Sequence, residues 1–518
     1  MALPSIIFQE GQGGLGRPLP NNDHISGLLF YSSTVPSGFA TTTVATRCKA
    51  LYSTDDAIAA GILRDYSDAT GATGSFAVTG AGATGDTMEL KVADITTTNG
   101  AAQVVSLGAY TRLSTDTTAT LLGASYAAII NAGTTTHGYS AIAASGTITI
   151  TAPKRLGAYL NGLTALSSTL SGTITGTLVQ FTGGVASKLV QWYYQINEFF
   201  RIQPKGKLWV GFFATPGTYT FSEVTDMQNN SAGEIRQIGV LKDSASAWAT
   251  ADITALDTIC AANKSLYQPL QALYAGNINA TTDITTIADV STLSANDVMN
   301  VIGQDGYGWG NFIYQMNGTT GKKSISCLGA QLGQTSLRKV SESIAWVGAC
   351  NMSNGTELEI PAFANGQLVS ALSSNALESL NTKRHTFLKK FTGYSGSFFN
   401  DSHMCITQAS DYAYMENNRT ICKAERLLYA SYLPYLNSPI LFNANGTLTD
   451  ITIAQFEGVG NTALDQMVRD TELSAKSVTI NPLQNVLATS TLTIAVVLVI
   501  NGVARNIVIP IGFKPSIA

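Results

Sequence analysis

The sequence is short of charge. Only 12% of its 518 residues are Asp, Glu, Lys or Arg, against roughly 25% in ordinary soluble proteins. Disordered chains combine high charge with little hydrophobicity, so this composition argues for folded structure. It also implies that much surface is covered, by other domains or other copies. Net charge is −4, so no global basic field exists to gather nucleic acid. The six cysteines form no CxxC pair and are scattered along the chain. They read as buried free thiols, compatible with a reducing cytoplasm, rather than as a disulfide frame. The first ten residues lack a basic segment followed by a long apolar one, so export by a signal sequence is not expected. The longest apolar run, Leu492–Ile500, is interrupted by Thr493. A membrane helix needs about 20 apolar residues, so no direct membrane insertion is expected.

What fills the gap is Thr, Ser, Ala, Gly and Asn, which favour β-rich, turn-rich folds. Length alone suggests about three domains. Pro4–Glu10 reads as a short strand, followed by a glycine-rich tether at Gly11–Gly16 and by Pro18 and Pro20. This resembles an arm that cannot bury itself locally. Ile25–Ser32 is a second strand, and Ser53 and Asp55 offer N-caps for a helix running to about Tyr66. Composition changes near Ser67. From there to Ser187 the chain is Thr-, Gly- and Ala-rich, with period-two strands at Met88–Val92 and Thr147–Thr151 and a helix at Thr120–Asn131. At Lys188 the character returns. An aromatic helix, Gln191–Phe200, precedes a buried-strand run, Lys207–Phe213, then strand Ile235–Leu241 and helix Ile253–Ala262. That order indicates an α/β layer domain. Gln271–Ala275 and Val298–Ile302 are further strands, and helices are expected near Leu368–Leu380, Asn418–Tyr432 and Thr462–Glu472. Near the end, Thr491–Ile500 meets Asn501-Gly502, a strong hairpin signal, so Val503–Ile511 is expected to return as a strand. Pro510 limits where that strand can pair.

The expected class is therefore multidomain, mixing α/β and α+β. A core comprises 21–66 and 188–345, an outer β-rich insertion 67–187, and a C-terminal domain 346–490. The 1–20 segment forms an N-terminal arm, and 491–518 a terminal β-hairpin and arm.

Motifs for chemistry fail one by one. Gly11–Gly16 and Gly80–Gly85 match GxGxxG, yet Arg17-Pro18-Leu19-Pro20 follows the first and a strand follows the second. A dinucleotide site needs a strand before and a helix after. Gly318–Ser324 resembles a phosphate loop but has two residues between its glycines instead of four. Asp401, His403 and Cys405 could converge from one strand face, but a zinc site needs about four ligands. No GxSxG elbow marks a nucleophile. No catalytic residue, cofactor site or metal site is assigned, and the chain is read as non-enzymatic. Arg419, Lys423 and Arg426 fall at i, i+4 and i+7, on one helix face. Two readings stand: a solvated, salt-bridged face, or a docking face for an acidic partner.

Several segments resemble contractile tail sheath proteins. Pro4–Glu10 is similar to the sheath N-terminal strand, with Ser5 in place of the usual glycine. Leu29-Phe30 and Pro36-Ser37-Gly38 resemble the next strand and turn, and Tyr193–Val210 the following helix–turn–strand. Ser410–Arg419 with Lys423-Ala424, then Asn481-Pro482, complete the series in order. The resemblance covers Met1–Tyr66 and Lys188–Ala518. It implies a structural subunit in hexameric layers of a helical sheath around an inner tail tube protein, meeting baseplate and tail terminator proteins. It places the chain in a virion tail, assembled in a bacterial host cytoplasm. It also implies that terminal arms complete sheets in neighbouring copies. Ser5, Ile6, Ile7, Phe8 and Gln9 would do so at one end, and Asn506, Ile507, Val508, Ile509 and Ile511 at the other. Contraction would need no nucleotide. A β-rich adhesin is the competing reading; it suits the 67–187 segment but not the aromatic α/β core.

Overall fold

A computed structural model of the chain describes residues 23–95, 102–242, 247–318 and 323–513. It divides into two units, 1–337 with 344–414, and 338–343 with 415–518.

The first unit opens with β1 (Ile25–Tyr31), all seven of whose residues are buried. Strand β2 (Cys48–Leu51) and a short helix, Thr54–Ala59, follow. Ser53 caps that helix by accepting from Asp56 N, as the sequence suggested, but the helix ends well before Tyr66. Gly61 adopts a positive φ there.

The inserted segment then folds around a core that also takes in Phe312. Strands β3 (Thr73–Ala81), β4 (Thr87–Asp94), β5 (Gln103–Thr111), β6 (Ser140–Ala144), β7 (Thr147–Thr151), β8 (Leu166–Leu170) and β9 (Ile174–Thr182) make two sheets, ordered β6-β7-β3-β9 and β5-β4-β8. Helix Ala119–Ala132 is capped by Thr118 and ends at Gly133. Its Tyr126, with Phe76, Leu90, Ile148 and Phe181, builds the apolar centre. Alternation explains the fold: in β7, Ile148 and Ile150 point inward while threonines take the other face.

The chain then returns to the core sheet. Ser187 caps helix Lys188–Ile202, and the next strands are β10 (Lys207–Phe213), β11 (Gln237–Leu241), β12 (Gln271–Ala275) and β13 (Val298–Asn300). The six-stranded order is β13-β12-β11-β1-β10-β2, parallel except for the β2 edge. Near-continuous apolar strands fit a parallel sheet covered on both faces. Helix Thr250–Ser265 contributes Ile253 and Leu256 to one face. Helix Leu328–Leu337 packs closely on helix Lys188–Ile202. A Cβ at Gly329 would lie 2.0 Å from Gln195 O, and one at Gly333 2.7 Å from Phe199 O. Only glycine admits so close a backbone approach.

Segment 344–414 belongs to this first unit, which moves the division expected at 346 to the 414/415 junction. The cause is burial. Strand Pro361–Phe363 pairs with Gly303–Asp305, Val301 bridges Thr386, and Phe363, Leu380 and Phe387 share a core with Ile302.

Candidate functional site

The C-terminal unit is built on helices Met415–Tyr432 and Asp450–Arg469 and on antiparallel strands Leu473–Thr479 and Ala495–Ile500. Thr449 caps the second helix by accepting from Thr452 N. The core comprises Val340, Ala424, Leu464, Met467, Leu473 and Val478, with Val496 and Leu498 packed against it. On the opposite face of the same strand, Val497 and Val499 are exposed.

The expected return of the chain at Asn501-Gly502 does not form. Ala495–Ile500 pairs with the upstream strand instead, Val478 opposite Val496 and Thr479 opposite Ala495. Asn501 spends its side chain as an anchor, donating through Nδ2 to Thr471 O and Ser341 Oγ. A local turn signal succeeds only where the returning strand finds a face to bury, and the helices here cover the strands already paired. Residues 501–513 therefore run on without strand pairing among the described residues.

That run carries the residues named as the C-terminal arm. Arg505 pairs with the buried carboxylate of Glu416. Beyond it Ile507 is 78% exposed, Val508 85%, Ile509 76% and Ile511 95%, and Phe513 is fully exposed. Asn506 lies among them, also exposed. The N-terminal arm residues Ser5, Ile6, Ile7, Phe8 and Gln9 lie outside the described residues. A second uncovered apolar surface is a cleft of 610 Å3 lined by Tyr432, Tyr435, Phe456, Val486, Leu492 and Ile494. Leu436 and Leu487 stand exposed at its border.

The basic stripe needs correction. Arg419 and Lys423 are buried, and Arg426 is half-buried. Arg419 donates to the carbonyls of Arg338 and Lys339 at 3.2 Å each, and Lys423 to Glu472 Oε1 at 2.8 Å. No continuous three-residue solvated or docking face forms, because the helix turns Arg419 and Lys423 onto its own unit. Helical spacing revealed that the three share a face but not which face the core takes. Glu472, which decides the matter, carried no signal in sequence.

The other motifs resolve into structure. Gly80–Gly85 closes the turn from β3 to β4, where Asp86 Oδ2 accepts from Ala83 N and Thr173 N at 2.8 Å. His403 Nε2 meets Asn381 Oδ1 at 2.9 Å, and Cys405 is a buried free thiol. Cys405 N donates to Val298 O, and Ala295 N to Cys405 O. Among the described residues no three His, Cys, Asp or Glu gather as metal ligands. No described helix is long and apolar enough to cross a membrane.

Two family models cover almost the whole chain: "DUF2586, N-terminal domain" over residues 3–403 and "DUF2586, C-terminal domain" over 411–517. The chain belongs to the DUF2586 family. The gap between the two DUF2586 models precedes the 414/415 junction between the compact units by a few residues. No curated protein matches this DUF2586 chain by sequence. Solved structures similar to it include chains of contractile sheath and baseplate assemblies. The contracted helical sheath of the anti-feeding prophage is 13% identical, covering 64% of this chain and 84% of that one at a TM-score of 0.44. The contracted PVC sheath complex of an extracellular contractile injection system is 12% identical, covering 63% and 81% at 0.40. The sheath tail protein of Listeria innocua is 9% identical, covering 92% and 94% at 0.37.

Proposed function

We propose that this DUF2586 chain is the structural subunit of a contractile tail sheath. Copies polymerise helically in hexameric layers around an inner tail tube, and the sheath contracts without nucleotide to drive that tube through a cell envelope. Baseplate and tail terminator proteins close its ends. The role is mechanical and not catalytic.

The observation that carries this reading is the uncovered apolar segment beyond Arg505. Ile507, Val508, Ile509, Ile511 and Phe513 are all exposed. Burying each would contribute about 1.5–3 kcal/mol, so a partner surface gains substantially by receiving them. An extended apolar segment added to an open sheet edge gains backbone hydrogen bonds as well, each a net of about 1 kcal/mol. Strands Leu473–Thr479 and Ala495–Ile500 form a two-stranded sheet, whose outer edges pair with no further strand among the described residues. Donor and acceptor on one chain make a head-to-tail contact, which builds rings or helical filaments. The order of sheath-like segments along the sequence supports the same reading.

The test is electron microscopy of the purified full chain against a chain ending at Arg505. Ending there keeps the Arg505–Glu416 pair. The full chain is expected to give rings or hollow helical tubes, and the shortened one folded, unassembled subunits. Normal polymerisation of the shortened chain removes the arm assignment. Persistent monomers of the full chain remove the sheath reading.

A further inference from the structure

The core sheet of the first unit has a point where its crossovers diverge. From β1 the chain passes to β10 on one side, and from β10 it crosses back to β11 on the other. β1 and β11 are parallel neighbours. In open α/β sheets, ligands sit in the crevice beyond the carboxyl ends of strands at such a switch point. A cavity of 30 Å3 lies there. It is reached by Tyr31 at the end of β1, Lys242 just after β11 and Asn277 just beyond β12, with Lys188, Gln195 and Ser326 closing it.

Among the described residues the lining holds two lysines and no carboxylate. Lys242 is committed, donating to Asp252 Oδ2 at 2.7 Å and Ala247 O at 2.8 Å. Lys188 is not committed in the same way. Its Nζ has Ser32 Oγ, at 3.5 Å, as hydrogen-bond partner, and Asp68 is occupied with the amides of Lys188 and Leu189. Gln195 is fixed at both ends, Nε2 donating to Ser326 O at 2.8 Å and Oε1 accepting from Gly329 N at 2.7 Å. Ser326 is 1% exposed, and its hydroxyl has no hydrogen-bond partner among the described residues. A buried unpaired hydroxyl and an under-used ammonium on two residues that line one cavity call for a polar occupant.

We propose that this cavity binds a small oxyanion, a phosphate or a carboxylate group, held by Lys188 Nζ and Ser326 Oγ. Size limits the class. A water needs about 10–15 Å3 of such space, so 30 Å3 admits the two oxygens of a carboxylate, or two oxygens of a phosphate presented at its mouth, and excludes a nucleotide. The ammonium supplies charge, and the serine hydroxyl donates one directed bond.

The experiment titrates the full chain with sodium phosphate, and separately with sodium acetate, against sodium chloride at equal ionic strength. Calorimetry and thermal melting are the readouts. A saturable stabilisation absent in chloride is expected. A response to phosphate alone assigns a phosphate ligand, and a response to acetate alone a carboxylate. Lys188→Met and Ser326→Ala should each weaken binding about tenfold or more, the worth of one charge-assisted hydrogen bond. Ser326→Ala removes an unpartnered hydroxyl, so the unliganded variant should fold as well as the parent. Lack of a saturable component in either salt overturns the proposal. So does binding in either variant as tight as the parent's, or a structure in phosphate buffer that shows only ordered water in the cavity.

Discussion

Lys423 donates to Glu472 at 2.8 Å within the C-terminal unit, with both side chains closed off from solvent. The pair ties helix Met415–Tyr432 to the chain just ahead of strand Leu473–Thr479. Lys423→Met would remove the ammonium that pairs with the buried Glu472 carboxylate. The expected loss is about 3–5 kcal/mol of stability in this unit. Lys423→Met with Glu472→Leu should recover most of it, since no charge is then stranded. Denaturant unfolding of the three variants measures both, and a single-variant loss under about 0.5 kcal/mol, no larger than a surface change, would count against a buried pair.

In the first unit, Asp305 and Glu357 converge on Gly308. A Cβ there would lie 2.6 Å from Asp305 Oδ2 and 2.7 Å from Glu357 Oε2. Glu198, held by Arg201, and the buried hydroxyl of Tyr194 complete the surroundings. Burial, with the nearby Asp305 charge, pushes the Glu357 carboxyl up to about 8. The folded state therefore keeps a proton that the unfolded chain releases near 4.5. Stability is full below that value and falls as pH rises through 8, at no more than about 1.4 kcal/mol per pH unit. Glu357→Gln should flatten this slope, which levels off above about pH 8, in melts taken between pH 5 and 9.

His385 acts in the opposite sense. Its Nδ1 lies 2.7 Å from Asn300 Nδ2 and its Nε2 3.0 Å from Ala288 O, which fixes a neutral ring. Burial lowers its pKa to about 4. Its contribution is present above the unfolded value of 6.5 and is lost as pH falls toward 4. Melting of the first unit should weaken across that window, and proton NMR should show the ring uncharged at pH 5. A ring already protonated at pH 6 would contradict the buried, neutral assignment.

Two glycines should respond to alanine with opposite signs. Gly329→Ala places a methyl 2.0 Å from Gln195 O, so helix Leu328–Leu337 must move, at about 1–3 kcal/mol or more. Gly458, inside helix Asp450–Arg469, has nothing within 4 Å of its Cβ position. Gly458→Ala should gain about 0.5–1 kcal/mol through helix propensity. Urea unfolding of both variants measures the signs, and stabilisation by Gly329→Ala would refute the close helix contact.

Much of the architecture was legible in the residues. Runs with a strong period or caps at both ends read correctly, such as Gln271–Ala275, and the helix between Thr118 and Gly133. Their signals are local, and local sterics set them. Helix Asp450–Arg469 begins twelve residues before the expected Thr462, where Thr449 caps it by accepting from Thr452 N. The hairpin at Asn501-Gly502 failed for a different reason. Turn chemistry is local, but strand pairing is decided by which surface remains to be covered.

The sequence by itself determined that the chain is folded, layered and free of recognisable catalytic motifs, and that the run Ile507–Ile511 is apolar. Those properties follow from composition and periodicity, which each residue carries with it. Only the tertiary structure decided that Arg419 and Lys423 turn inward, that Asn501 anchors instead of turning, and that Ile507–Phe513 stay uncovered. Each depends on which surfaces meet in three dimensions: a helix face has no inside or outside until its neighbours are in place.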